Sequence, residues 1–194
     1  MNVIKTTLAA LMVASMAPAA LAQDSEIASE DAALQALDDA LPGELLHNPL
    51  TNKWESGGND MRTKIVDAEP LLTKRAFQAK IKKKQNKKWD SYMRLENFGE
   101  VKEGQTVQII YYVRTVKPPK NAETADVGIF LGRNVAPYDM IAGGDIQPPT
   151  EWEMRSLKGT AGKDFDAGRL KLEIQLGAAP QTVEIGPAYV SVLN

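Results

Sequence analysis

The 194-residue chain has no cysteine and a single histidine, His47. The missing thiols exclude a disulfide framework, a thiolate zinc site, an iron–sulfur cluster and a cysteine nucleophile. A solitary imidazole excludes a multi-histidine metal centre within one chain and confines any Ser-His-Asp triad to His47, which lies beside Asn48-Pro49 and reads as a loop residue. Aromatic residues are only 6% of the chain, with three tryptophans. Charge of one sign is also missing: 23 Lys+Arg oppose 25 Asp+Glu, a formal charge of −2, which argues against a general polyanion binder. No apolar run reaches the roughly 20 residues of a spanning helix. Gly-rich phosphate loops in a strand–loop–helix setting are absent, and no acid pair stands out for glycosidic hydrolysis, so no catalytic residue is assigned.

Residues 1–22 read as an export signal. Lys5 is their only charge, residues 8–14 form a short apolar stretch interrupted afterwards by Ser15 and Pro18, and Ala20-Leu21-Ala22 is a small-x-small cleavage site. No cysteine follows it, so a lipid anchor on a +1 cysteine is excluded, and a periplasmic or extracellular location is expected. Residues 23–44 form an acidic linker or short helix. Seven acids and no Lys or Arg fall within 23–46, and Leu34, Leu37 and Leu41 recur at helical spacing after Ser29. Pro42-Gly43 ends that pattern. Composition favours a tether; a helix that docks on a partner is the alternative.

The remaining residues, 45–194, alternate with the period of strands. Strands are expected at 62–67, 76–81, 91–96, 106–116, 126–132, 140–146, 151–157, 169–176 and 182–193, separated by Gly and Pro clusters. Nine short strands without a helix between them indicate an all-β sandwich of jelly-roll or immunoglobulin-like type. In residues 170–176, Leu170, Leu172, Ile174 and Leu176 fall on one face and Lys171, Glu173 and Gln175 on the other, the pattern of a half-buried strand. Residues 106–116 and 127–132 are mixed instead. Behind Val107, Ile109, Tyr111 and Val113 stand Gln108, Ile110, Tyr112 and Arg114, and behind Val127, Ile129 and Leu131 stand Gly128, Phe130 and Gly132. That second face is either covered or a binding surface.

These residues resemble a known family. Trp152 to Leu157 followed by Gly159-Thr160-Ala161, Asp164-Phe165-Asp166-Ala167-Gly168, the strand 170–176, and Thr182-Val183-Glu184-Ile185-Gly186-Pro187 before Val190-Ser191-Val192 are similar to stretches of galactose-binding-like jelly rolls. Gly104-Gln105-Thr106 opening a strand that ends Tyr112-Val113-Arg114-Thr115, and Lys88-Trp89-Asp90 before a strand, fit the same pattern. Such rolls are the carbohydrate-binding modules found beside xylanases and related glycoside hydrolases. The resemblance implies a β-sandwich that holds a polysaccharide or oligosaccharide on its concave sheet without bond chemistry. It also allows a structural calcium ion, whose ligands are unknown. Matching cleft positions are Tyr92, Arg94, Tyr112, Arg114, Phe130, Glu173 and Gln175, with Trp89 a further ligand contact.

Those residue types suit a sugar, because aromatic rings offer a flat apolar platform and planar polar groups bind hydroxyls in pairs. The alternative is a second small core in which Arg114 pairs with Glu173. Trp54 and Trp152 read as packing residues. Between Lys74 and Lys88 lie eight cations and no acid, read as a hairpin with 82–88 at its tip. The run is a solvated loop, or it meets an acidic polysaccharide, a phosphate-bearing envelope surface or the chain's own acidic segment. Nucleic acid fits an exported acidic chain poorly. An envelope protein docking another protein through these blocks is the competing reading, and a small polysaccharide-acting enzyme a weaker one.

Overall fold

The computed structural model describes residue 32, residues 35–36, residues 39–50, residues 53–69, residue 71 and residues 73–193. Among the described residues eleven strands follow one another: β1 (Glu44–Leu45), β2 (Glu55–Gly58), β3 (Met61–Asp67), β4 (Arg75–Ile81), β5 (Ser91–Leu95), β6 (Thr106–Lys117), β7 (Val127–Arg133), β8 (Met140–Ile146), β9 (Glu153–Thr160), β10 (Leu170–Gln175) and β11 (Gln181–Leu193). They form two antiparallel sheets. One runs β3-β4-β11-β6-β9, with β1 paired to the end of β11; the other runs β2-β5-β10-β7-β8. The expected all-β sandwich of jelly-roll type is what the chain forms. The two strands without a sequence signal, β1 and β2, are two and four residues long, and β2 reads Glu-Ser-Gly-Gly, a composition that period-2 patterning cannot flag. Strand β9 runs on to Thr160 because Gly159 pairs with Val107.

The core lies between the sheets and follows the alternation closely. Val107, Ile109, Tyr111 and Val113 of β6 meet Leu170, Leu172 and Ile174 of β10 and Val127, Ile129 and Leu131 of β7 in one buried cluster. Trp54 packs against its edge. A second, smaller cluster of Ala68, Leu71 and Ala76, with Val66, Tyr112 and Trp152, covers part of the outside of the first sheet.

The cationic stretch is not a hairpin. Strand β4 belongs to the first sheet and β5 to the second, so the chain between them arches from sheet to sheet and ends in a single 3-10 turn, Lys88–Asp90. A hairpin would need β4 and β5 to pair, and their partners are instead β3 and β11, and β2 and β10.

The export signal lies outside the described residues. Of the acidic segment, Ala32, Gln35, Ala36, Asp39 and Ala40 are helical and exposed, residues 41–43 form a bend and Glu44 opens β1. Among the described residues no helix is long and apolar enough to cross a membrane.

Candidate functional site

Alternation along β10 sends Leu170, Leu172 and Ile174 into the core and leaves Lys171, Glu173 and Gln175 on the outside of the second sheet. Register then decides what stands beside them. Glu173 is flanked by Arg94 of β5 and Phe130 of β7; one rung further, Gln175 is flanked by Tyr92 and Gly128. These side chains, with loop residues at each end, line a groove of about 920 Å³.

Glu173 is the hub of the groove floor. Its side chain is only 4% exposed, yet it is ionically matched: Lys171 Nζ lies 2.6 Å from Oε2, Arg94 Nη2 lies 3.4 Å from the same oxygen, and Gln175 Nε2 donates to Oε1 at 3.2 Å. Burying a carboxylate costs several kcal/mol unless such partners surround it. Arg94 also pairs with Glu96 at 3.1 Å and holds its guanidinium carbon 4.2 Å from the centre of the Tyr92 ring. Lys171 Nζ stands 5.4 Å from the Phe130 ring and 5.6 Å from that of Tyr138. Cations therefore fix both the acid and the aromatic rings, and the planar polar groups arrive pre-oriented.

Exposed apolar groups frame this floor. Trp89 is 52% exposed, Tyr138 64% and Met140 58%, and all three border the groove. Lys88 enters between the rungs and binds Asp126 Oδ1 and Asp145 Oδ1, each at 2.8 Å. Burial alone would lower the ammonium pKa, but the two carboxylate hydrogen bonds outweigh it and raise the pKa above the usual lysine value. Two floor positions must be glycine for these side chains to lie as they do. A Cβ on Gly57 would sit 2.4 Å from Tyr92 Oη, and one on Gly128 would sit 2.9 Å from Lys88 Cδ.

Of the residues expected in the cleft, Tyr92, Arg94, Phe130, Glu173, Gln175 and Trp89 are brought together here. Tyr112 and Arg114 are not. Strand β6 is in the other sheet, so its outward side chains leave the sandwich on the opposite side. Tyr112 joins the cluster of Leu71 and Trp152, and Arg114 binds Glu184 rather than Glu173, with Nη2 2.6 Å and Nε 2.7 Å from Oε2. The alternative of a small second core that pairs Arg114 with Glu173 does not form; the cluster that holds Tyr112 is built with Ala68, Leu71, Ala76, Val66 and Trp152. His47 is buried, accepts a hydrogen bond from the Val190 amide at 3.3 Å and meets Phe98 edge-on at 5.0 Å. Desolvation lowers its pKa to about 4.

Sequence reasoning missed Lys171, Lys87, Tyr138, Met140 and Asp145 as groove residues. Lys171 carried a usable signal, since it shares the face of Glu173 and Gln175. Tyr138 carried none, because it reaches the groove from the β7–β8 connection, and Met140 lies at the start of β8, where alternation does not say which sheet the strand joins. Among the described residues no group of three or more His, Asp or Glu side chains is placed to hold a metal ion.

Residues 47–182, more than half of the chain, match the family described as "Carbohydrate binding domain". No curated protein sequence matches the chain. Solved structures do resemble it. One named "CBM4 structure and function" has 15% identity and a TM-score of 0.56, covering 72% of this chain and 94% of that one. The CBM22-1 xylan-binding domain of Xyn10C from Paenibacillus barcinonensis has 14% identity and a TM-score of 0.53, covering 74% and 88%. The structure named BiXyn10A CBM1 has 14% identity and a TM-score of 0.52, covering 74% and 92%. Likeness at such identities speaks for the fold; the family match speaks for the chain itself, which belongs to the carbohydrate-binding domain family.

Proposed function

We propose that the chain is an exported, non-catalytic carbohydrate-binding protein that seats a glycan chain in the groove of the second sheet. One observation carries this reading: Tyr92 and Phe130 flank a pre-organised Arg94–Glu173–Lys171–Gln175 cluster on adjacent strands of one open face. Pyranose rings present apolar C–H faces and equatorial hydroxyls at once, and this face offers rings for the first and fixed planar donors and acceptors for the second. Trp89, Tyr138 and Met140 extend the platform beyond one sugar.

A non-catalytic role is supported by the ion pairs of the two carboxylates that line the groove among the described residues, Glu173 and Asp145. Glycosidic hydrolysis asks one acid to give a proton and another to attack or activate water, and Glu173, locked between a lysine and an arginine, is poorly suited to give the proton. Export follows from the leader features of residues 1–22. Xylan is the first glycan to test, given the name of one structural neighbour.

Affinity electrophoresis through gels containing xylan and other soluble polysaccharides tests the reading. Retardation by at least one glycan is expected, reduced at least tenfold in affinity by Tyr92→Ala and by Tyr138→Ala. Retardation unchanged in both variants, or release of reducing ends from the glycan, overturns it.

A further inference from the structure

The side of the sandwich away from the groove carries a charge pattern that the groove does not use. Register across four neighbouring strands sets Arg62 of β3 beside Lys80 of β4, Lys80 beside Thr182 of β11, and Thr182 beside Lys117 of β6. Adjacent strands are about 4.8 Å apart, so three cations stand in one line about 14 Å long, perpendicular to the strands. One rung inward Lys64 opposes Gln78, and the arching connection adds Lys82, Lys83 and Lys84 just after β4. Arg62, Lys64, Lys80, Lys82, Lys84 and Lys117 are all exposed, and among the described residues none of the six is in an ion pair, whereas Lys83 meets Asp60 at 3.7 Å.

The acid nearest this row in register is already taken. Glu184 lies one rung in, buried, with Arg114 and Gln78 on its oxygens, so it offers no countercharge to Arg62, Lys80 or Lys117. Like charges directly opposite on neighbouring strands destabilise a sheet. Arg62 and Lys80 are such a pair, and among the described residues neither is in an ion pair, a cost that a line of external anions relieves.

We propose that this face is a second carbohydrate site, specific for a polysaccharide bearing carboxylates on successive units. A sheet face with charges in file matches a linear acidic glycan better than a point anion, which one lysine would satisfy. The site is electrostatic where the groove is aromatic, and the two lie on opposite sheets. One molecule can therefore hold an acidic and a second glycan chain together.

The test uses the full chain and polygalacturonate as the probe. Retardation in polygalacturonate gels at about 50 mM salt is expected, with a log–log salt slope of about −2 for three neutralised charges, as on a single-stranded polyanion. The triple variant Arg62→Ser, Lys80→Ser, Lys117→Ser should lose at least fivefold in affinity, and Lys80→Arg alone should keep it. All three positions are exposed, so the variant should fold with a melting temperature equal to or above that of the parent. Groove variants Tyr92→Ala and Tyr138→Ala should bind polygalacturonate as the parent does, which separates this site from the groove. Unchanged affinity in the triple variant overturns the proposal. So does equal retardation by polyphosphate, the mark of an unselective basic surface. Binding that appears only after removal of residues 23–40 also overturns it, because the acidic segment would then be the occupant.

Discussion

Glu173 and Glu184 are both buried to 3% exposure, and they face away from each other on opposite sheets, each held by its own arginine. The same solution to a buried carboxylate thus serves two ends. Around Glu173 the partners open onto a groove; around Glu184 they close over with Trp152, whose ring centre lies 5.0 Å from the Arg114 guanidinium carbon.

Replacing Glu173 by glutamine keeps the shape and removes the charge. Lys171 and Arg94 then lose the anion that fixes their positions against Phe130 and Tyr92. Glycan affinity should fall more than tenfold, and stability should fall by about 2 kcal/mol because a partly buried cation pair is left under-compensated. Affinity electrophoresis and urea unfolding of the same preparation measure the two effects.

Arg114→Ala should separate the two sheets functionally. It leaves the Glu184 carboxylate with Gln78 as its remaining partner, a 2.8 Å hydrogen bond, and uncovers the Trp152 ring. A loss of about 3 kcal/mol in urea unfolding is expected, near the low end for breaking a buried pair since the arginine is itself 31% exposed. Binding to any groove ligand should be unchanged at temperatures where the variant is folded. Loss of binding at full stability would return Arg114 to the glycan site.

These two arginines also show what the sequence could and could not tell. Period-2 alternation identified Arg114 as outward-facing, and it located Glu173, Gln175 and Phe130 on outer faces as well; Arg94 came only from the family resemblance. Alternation says which residues of one strand share a face; it does not say which sheet the strand joins. Residues on β6 and β10 look equivalent in sequence, and only the crossing of the chain between sheets sends Arg114 and Glu173 apart. The cationic stretch misled for the same reason, since an arch between sheets and a hairpin within one have the same turn-rich composition. Tyr138 was illegible because nothing in a β7–β8 connection reveals which groove it overhangs.

Gly57→Val should damage the groove from beneath. A Cβ there would fall 2.4 Å from Tyr92 Oη and 2.5 Å from Cζ, so the ring must leave its place over β2 and cease to support Arg94. β2 is a short edge strand, so the stability cost should stay within about 1–2 kcal/mol while glycan affinity drops at least fivefold. Gly104→Val is the control, at a position with nothing within 4 Å of a Cβ but a φ of +84°; it should cost stability and leave binding alone.

The buried His47 makes acid stability a direct test of the packing between the chain preceding β2 and the end of β11. Its pKa is lowered from 6.5 to about 4 by desolvation, so the folded state resists protonation that the unfolded chain accepts. Between pH 6.5 and 4 the unfolded state therefore binds more protons, and stability must rise with pH across that window. The contribution is fully present above pH 6.5 and is lost as pH falls towards 4, with a ceiling of about 3 kcal/mol for a shift of that size. His47→Gln, which keeps an acceptor for the Val190 amide, should flatten the pH dependence there while holding most of the stability at pH 7.5. Urea unfolding at half-unit steps from pH 4 to 7.5 measures both curves. Parallel slopes in parent and variant would show that His47 is protonated as easily in the fold as outside it.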